Sequence, residues 1–152
     1  MKPFLILQLR PETEASDDEF QAILRKSGLN EGDVVRIRLD QSDLPDDLSL
    51  DAFSGVIVGG GPGCVSDPAN KKTEVEARIE DAVMGLMPEV TRRDFPFLGC
   101  CYGIGILGHH LGRVVSKEKY SEDVGTADCS LTEAGKSDPL LVGVPQEFHA
   151  FV

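Results

Sequence analysis

The sequence predicts the α/β class, built on an open, mainly parallel sheet. Three observations lead there. Short apolar strands alternate with helical stretches of ten or more residues, the pattern of βαβ units. The 152 residues fit a single domain spanning 1–152, since domains usually run to roughly 100–200 residues. With 6% aromatics and no Trp, the core falls to Val, Ile and Leu on strands and one-sided helices. Counting glycine, apolar residues make up about half of the chain, the usual level for a folded domain.

Phe4 to Leu9 is a short, almost unbroken apolar run and predicts a first strand. Ser16 and Glu19 then have the Ser-x-x-Glu spacing of a helix capping box. Phe20, Ile23 and Leu24 fall on one face of the helix that follows, and Gly28 stands where a left-handed C-cap is expected. Val34 to Leu39 alternates apolar residues with Arg36 and Arg38, which predicts a strand near the sheet edge. Asp40 to Asp51, rich in aspartate, reads as a solvated connection. Val56-Ile57-Val58 is a buried strand running into Gly59-Gly60-Gly61-Pro62-Gly63. Val75, Ile79, Val83 and Leu86 mark one face of a helix expected to start near Asn70 or Lys71. Phe95 to Leu98 introduces another strand, and Tyr102 to Leu111 a helix stopped by Gly112. Val114-Val115, Thr126 to Leu131 and Phe148 to Val152 are expected to be later strands.

Charge narrows the partners. A formal net charge of −11 repels a phosphate backbone and an anionic lipid surface alike, so neither nucleic acid nor membrane is expected. No apolar run approaches the roughly 18 residues of a membrane span, and the N-terminus lacks the form of a secretory signal, which predicts a cytoplasmic protein. Cys64, Cys100, Cys101 and Cys129 have neither zinc-site spacing nor the density of a disulfide scaffold. No metal or cofactor is expected.

In an open α/β sheet, ligands bind outside the carboxyl ends of the strands. Gly99-Cys100-Cys101-Tyr102-Gly103 follows such a strand and has the glycine, any residue, nucleophile, any residue, glycine form of a nucleophile elbow, with cysteine for serine. The glycines permit a sharp strand-to-helix turn that exposes Cys101 at a helix N-terminus, where peptide dipoles favour the thiolate. The alternative is that Cys100 and Cys101 are small core residues in a glycine-rich turn. The Gly59 to Gly63 loop does not fit a dinucleotide fingerprint, because Pro62 and Pro68 interrupt it before any helix. It can instead offer a bare backbone N–H to an oxyanion, or be a structural turn.

Val56 to Pro62, followed about forty residues later by Pro96 to Gly103 and by a helix ending Leu111-Gly112, resembles the class I glutamine amidotransferase family, in particular its stand-alone, GMP-synthase-like members. The tail Leu140 to Pro145 is also similar. The resemblance implies a flavodoxin-like sheet with helices on both faces. It implies that Cys101 attacks the side-chain amide of glutamine, or of a related γ-glutamyl compound, to give a thioester and ammonia. The backbone N–H groups of Gly61 and Tyr102 would form the oxyanion hole, and Gly60, Gly103 and Gly105 would line the substrate. A synthetase or acceptor subunit would be the partner.

Two departures stand out. The family's general base is a histidine in His-x-Glu or His-x-Asp, and this sequence has no such motif. His109 and His110 lie about 12 Å along the elbow helix from Cys101, and His149 reads as an outward strand residue. The resemblance places the histidine beyond Val152, so the sequence reads as the N-terminal portion of a longer domain. Gly105 stands where the family usually carries a glutamine that holds substrate. Two other readings remain: a catalytically inactive regulatory or binding module, and a PfpI-like cysteine hydrolase. The second characteristically has a carboxylate near the first strand facing the thiol, where this sequence has Gln8 and Arg10, with Glu12 as the only acid close by.

Overall fold

Leu5, Ile6 and Leu7 are wholly buried, and this run, with no face that suits water, forms the middle of the sheet. The computed structural model describes residues 2–116, 118 and 125–151. They fall into two units, Met1–Val115 and Ser116–Val152. In the first unit, β1 (Phe4–Gln8) lies between β2 (Val34–Arg38) and β3 (Gly55–Val58), and β4 (Phe97–Gly99) pairs with β3. The order is β2-β1-β3-β4 and every pairing is parallel, with Leu5 level with Val35 and Val56.

Alternation along β1 sends Leu5 and Leu7 to one face and Ile6 to the other. Ile6 and Ile57 pack with Phe20 and Leu24 of α1 (Thr13–Ser27). Leu5, Leu7, Val56 and Val58 pack with Ile79, Val83 and Met87 of α2 (Glu74–Arg93) and Ile106 of α3 (Tyr102–His110). The result is an open parallel sheet with helices on both faces, as expected. Each fully buried Leu, Ile or Val side chain contributes about 1.5–3 kcal/mol.

Local signals behave unevenly. Gly28 takes its predicted left-handed cap at φ 70°, and Gly112 has φ 69°. The Ser16/Glu19 capping box does not form. Helix α1 begins earlier, after Glu12, which places both residues inside the helix. Ser16 is fully buried, with its hydroxyl accepting from Arg36 (3.2 Å) and its carbonyl from Gln8. The second helix starts at Glu74, later than expected, because Thr73 and Glu76 form a reciprocal capping box there. The Thr73 N–H holds the Glu76 carboxyl below its usual range. Residues 69–71 make only a single 3-10 turn. Val75 is exposed, and the buried face of α2 continues through Met87 and Val90.

The Asp40 to Asp51 connection is not simply solvated: Leu50 is buried, and Asp40 pairs with Arg38 at 2.8 Å. Val114-Val115 is not a strand. Val114 projects into solvent, while Val115 packs its side chain on the core under α3 without entering any ladder.

In the second unit, β5 (Thr126–Ser130) and β6 (Glu147–Phe151) form an antiparallel pair joined through α4 (Glu133–Lys136) and a 3-10 turn at Pro139–Leu141. The Val152 end of the last predicted strand lies outside the described residues. Among the described residues, no helix is long and apolar enough to cross a membrane, and no group of three or more His, Cys, Asp and Glu is gathered to hold a metal.

Candidate active site

Strand β4 ends at Gly99, and helix α3 begins at Tyr102, so the chain reverses within two cysteines. Cys101 sits at φ 49°, ψ −103°, a costly conformation for any residue with a Cβ that persists only where the surroundings enforce it. The enforcement is visible on both sides. A Cβ on Gly99 would lie 2.6 Å from the backbone of Gly103 and Ile104, and one on Gly103 would lie 2.8 Å from the Val58 carbonyl. Only glycine lets helix and strands approach so closely, which keeps Gly103 buried against β3. Cys101 is exposed at the helix N-terminus. Cys100 is half-buried, its N–H donating to Val58 O at 2.9 Å. Burial first, then the negative charge of Glu19 and the neighbouring Cys101, push the Cys100 thiol up.

The glycine loop faces this turn. A Cβ on Gly60 would lie 3.4 Å from Cys101 Cβ, and one on Gly61 would lie 3.4 Å from Tyr102 Cδ1. Among the described residues the N–H groups of Gly61 and Tyr102 have no hydrogen-bond partner. The loop is tied at both ends. On one side Glu19 of α1 accepts the Gly60 N–H (2.9 Å) and Gln8 Nε2 (2.9 Å). Fully buried Gln8 in turn accepts from Arg36 Nε. On the other side Lys72 Nζ donates to the Val65 carbonyl (3.4 Å) and pairs with Glu80 (2.7 Å), which accepts the Tyr102 hydroxyl at 2.6 Å. The Tyr102 ring therefore lies between the loop and the elbow helix, its backbone starting α3 and its hydroxyl anchored on α2.

Burial, then Glu80, push the Tyr102 phenol far above its usual value near 10. A raised folded-state value means that the stabilisation is fully present below the ordinary value and is lost as pH rises beyond it. Tyr102→Phe is expected to cost about 1–3 kcal/mol at neutral pH by leaving Glu80 short of a donor. It should also flatten the loss of stability above pH ~10. Denaturant melts of both proteins across that range check this.

Sequence reasoning missed the contacts that Glu19 and Gln8 make at the glycine loop, taking Glu19 for a capping residue. The i, i+3 spacing that suggests a capping box also places two residues on one face of any helix, and Glu19, rather than Glu12, is the acid at the loop. Gly105 lies in the middle of α3, where a Cβ would meet Val65 at 3.6 Å and Val115 at 3.8 Å. His109 and His110 are at the far end of α3, and His110 Nε2 lies 3.1 Å from Thr91 Oγ1. In the second unit, His149 pairs with Asp128 across β5 and β6 at 2.8 Å, both side chains exposed. This carboxylate partner is set by strand register and has no signature in local spacing.

Comparison with known proteins agrees with this arrangement. The chain is 32% identical over 114 residues to a GMP synthase [glutamine-hydrolyzing] of Lactobacillus gasseri, covering 72% of this chain and 19% of that one. It is 31% identical over 98 residues to the corresponding enzyme of Limosilactobacillus reuteri, covering 64% and 16%. It thus spans about a fifth of the length of these relatives. The crystal structure of a glutamine amidotransferase from Thermotoga maritima superposes with a TM-score of 0.70 at 18% identity, over 99% of this chain and 60% of that one. That likeness carries the flavodoxin-like fold. Residues 16–152 match the family described as glutamine amidotransferase class-I. A cysteine at the sharp turn between β4 and α3, facing a glycine loop, is thereby accompanied by a match along most of the chain, which belongs to the class I glutamine amidotransferase family.

Proposed function

We propose that Cys101 hydrolyses the side-chain amide of glutamine, or of a related γ-glutamyl compound, within one amidotransferase-like domain that includes residues 1–152, and that the ammonia passes to a synthetase or acceptor subunit. The observation that carries this reading is the exposed Cys101, held at φ 49° against the glycine loop. The thiolate sulfur bonds to the amide carbon, and the carbonyl electron pair moves onto oxygen. The N–H groups of Gly61 and Tyr102, free of other partners among the described residues, stabilise that oxyanion. When the C–N bond breaks, the nitrogen takes a proton and leaves as ammonia, and a γ-glutamyl thioester remains. Water then attacks the thioester, the C–S bond breaks, and glutamate and the thiol are released. The substrate would rest over Gly60, with Gly103 and Gly105 in the turn and helix beneath.

Both steps need a group that takes and gives a proton. The family resemblance assigns it to a histidine followed by an acid, a motif absent from this sequence. The position of His109 and His110 at the far end of α3 favours a second reading, a binding module without turnover. Ammonia release from glutamine by the complete protein separates the two: turnover, with a thioester trapped on Cys101 in acid-quenched mass spectra, supports hydrolysis, and its absence supports the module.

Gly61→Val supplies a further expectation. A Cβ at residue 61 meets Leu9 Cβ at 3.3 Å and Tyr102 Cδ1 at 3.4 Å, and the added methyl groups must push the loop off Tyr102. Losing one oxyanion donor costs about 10²–10³ in rate, so kcat should fall by that order while the fold survives. An unchanged kcat would leave Gly61 as a turn residue only.

A further inference from the structure

We propose that Arg10 holds a carboxylate of the substrate beside Cys101 and is the specificity-determining residue of the site, an inference that rests on the thioester reading above. Arg10 stands two residues beyond β1, at the carboxyl edge of the sheet where ligands of open α/β folds bind. Its Nη2 and Cys101 Cβ approach one point: the position a Cβ on Gly60 would take is 3.1 Å from the first and 3.4 Å from the second, with Glu19 Oε1 at 3.6 Å.

Among the described residues, the ionic neighbour of the guanidinium is Glu19, with Nε to Oε1 at 3.6 Å, an ion pair too long for a hydrogen bond. The two Glu19 oxygens are already engaged by the Gly60 N–H and Gln8. Among the described residues, no hydrogen bond uses either Nη of Arg10. About a third of its side chain is exposed. A planar fork with two free N–H edges matches a carboxylate in bidentate fashion. The rest of the site offers no comparable anchor, because the loop is glycine and the position one turn into α3 is Gly105. The ligand class that follows is an amide carrying a free carboxylate on the same short chain, as glutamine and γ-glutamyl compounds do.

Two measurements on the complete protein test this. In the first, steady-state kinetics with glutamine and with its α-carboxamide analogue compare the parent with Arg10→Gln and Arg10→Lys. Arg10→Gln is expected to raise KM for glutamine by about 10–100-fold with a much smaller change in kcat, and to cause no rise in KM for the carboxamide analogue, which has lost the carboxylate and keeps its α-ammonium. Arg10→Lys should recover part of the loss. Equal effects on both substrates, or no change in KM, would overturn the assignment. The second measurement does not depend on turnover: the ratio of Cys101 alkylation rates with iodoacetate and iodoacetamide. The ratio cancels any change in thiol reactivity and reports the local charge felt by an anion. One charge at this range changes it by about three-fold, so Arg10→Gln should lower the ratio by that factor and Arg10→Lys should keep it. An unchanged ratio would overturn the proposal. A lowered ratio in a protein that never releases ammonia would support the anion site and sink the thioester reading alone.

Discussion

Replacing Cys101 with alanine is expected to abolish ammonia release, with a loss on the order of 10⁴–10⁶-fold, the range seen when a covalent nucleophile or its partner is removed. The same residue should dominate thiol chemistry in the folded protein. Cys101 is exposed, whereas Cys64, Cys100 and Cys129 are half-buried, and Cys100 is further held as the neutral thiol by burial and by Glu19. Thiolate, not thiol, reacts with iodoacetamide. Limited alkylation followed by peptide mapping should therefore find the label on Cys101 first, and glutamine should slow it. Label appearing first on Cys64 or Cys129 would remove the ground for treating the turn as a nucleophile elbow.

The largest expected loss of stability is at Gly99. A Cβ there would stand 2.6 Å from Gly103 C and Ile104 N, and both obstacles are backbone of α3 that cannot rotate away. Relief requires the helix to lift from the strand, which would loosen the packing of Tyr102 and Ile106 on the core. Ordinary overpacking costs about 1–3 kcal/mol, and a clash with rigid backbone belongs at or above the top of that range. Gly105→Ala provides the contrast on the same helix. Its Cβ would make ordinary contacts at 3.6 and 3.8 Å, and exchanging a helical glycine for alanine gains up to about 1 kcal/mol. Thermal or denaturant melts should thus move in opposite directions for the two variants. Similar destabilisation by both would mean that α3 is not held to the sheet through these glycines.

The comparison of sequence and structure separates by the range of the interaction. Val56-Ile57-Val58 announces a buried strand because three β-branched residues in a row leave no polar face, and Gly28 announces a helix end because only a left-handed residue closes it. The tight turn between β4 and α3 is legible for the same reason: glycines at two fixed offsets around Cys101 are its condition, and the condition is written within five residues. The misreadings came where one local pattern serves two structures. Ser16 and Glu19 satisfy a capping box and equally one helical face, and Val114-Val115 satisfies a strand and equally a single side chain turned into the core.

By itself, the sequence determined the alternation of strands and helices as far as α3 and the buried character of β1 and β3, and it put Cys101 between a strand and a helix, because each rests on residues adjacent along the chain. Only the tertiary structure decided what surrounds Cys101. Glu19 reaches Gly60 across 41 residues, Tyr102 reaches Glu80 across 22, and Arg10 comes to flank Cys101 from another strand end. His149 likewise finds Asp128 only through the register of β5 and β6. A hydrogen bond or ion pair between distant segments depends on the sheet order and on which helix face meets it. Those are set by the packing of the whole core, and no window of sequence contains them.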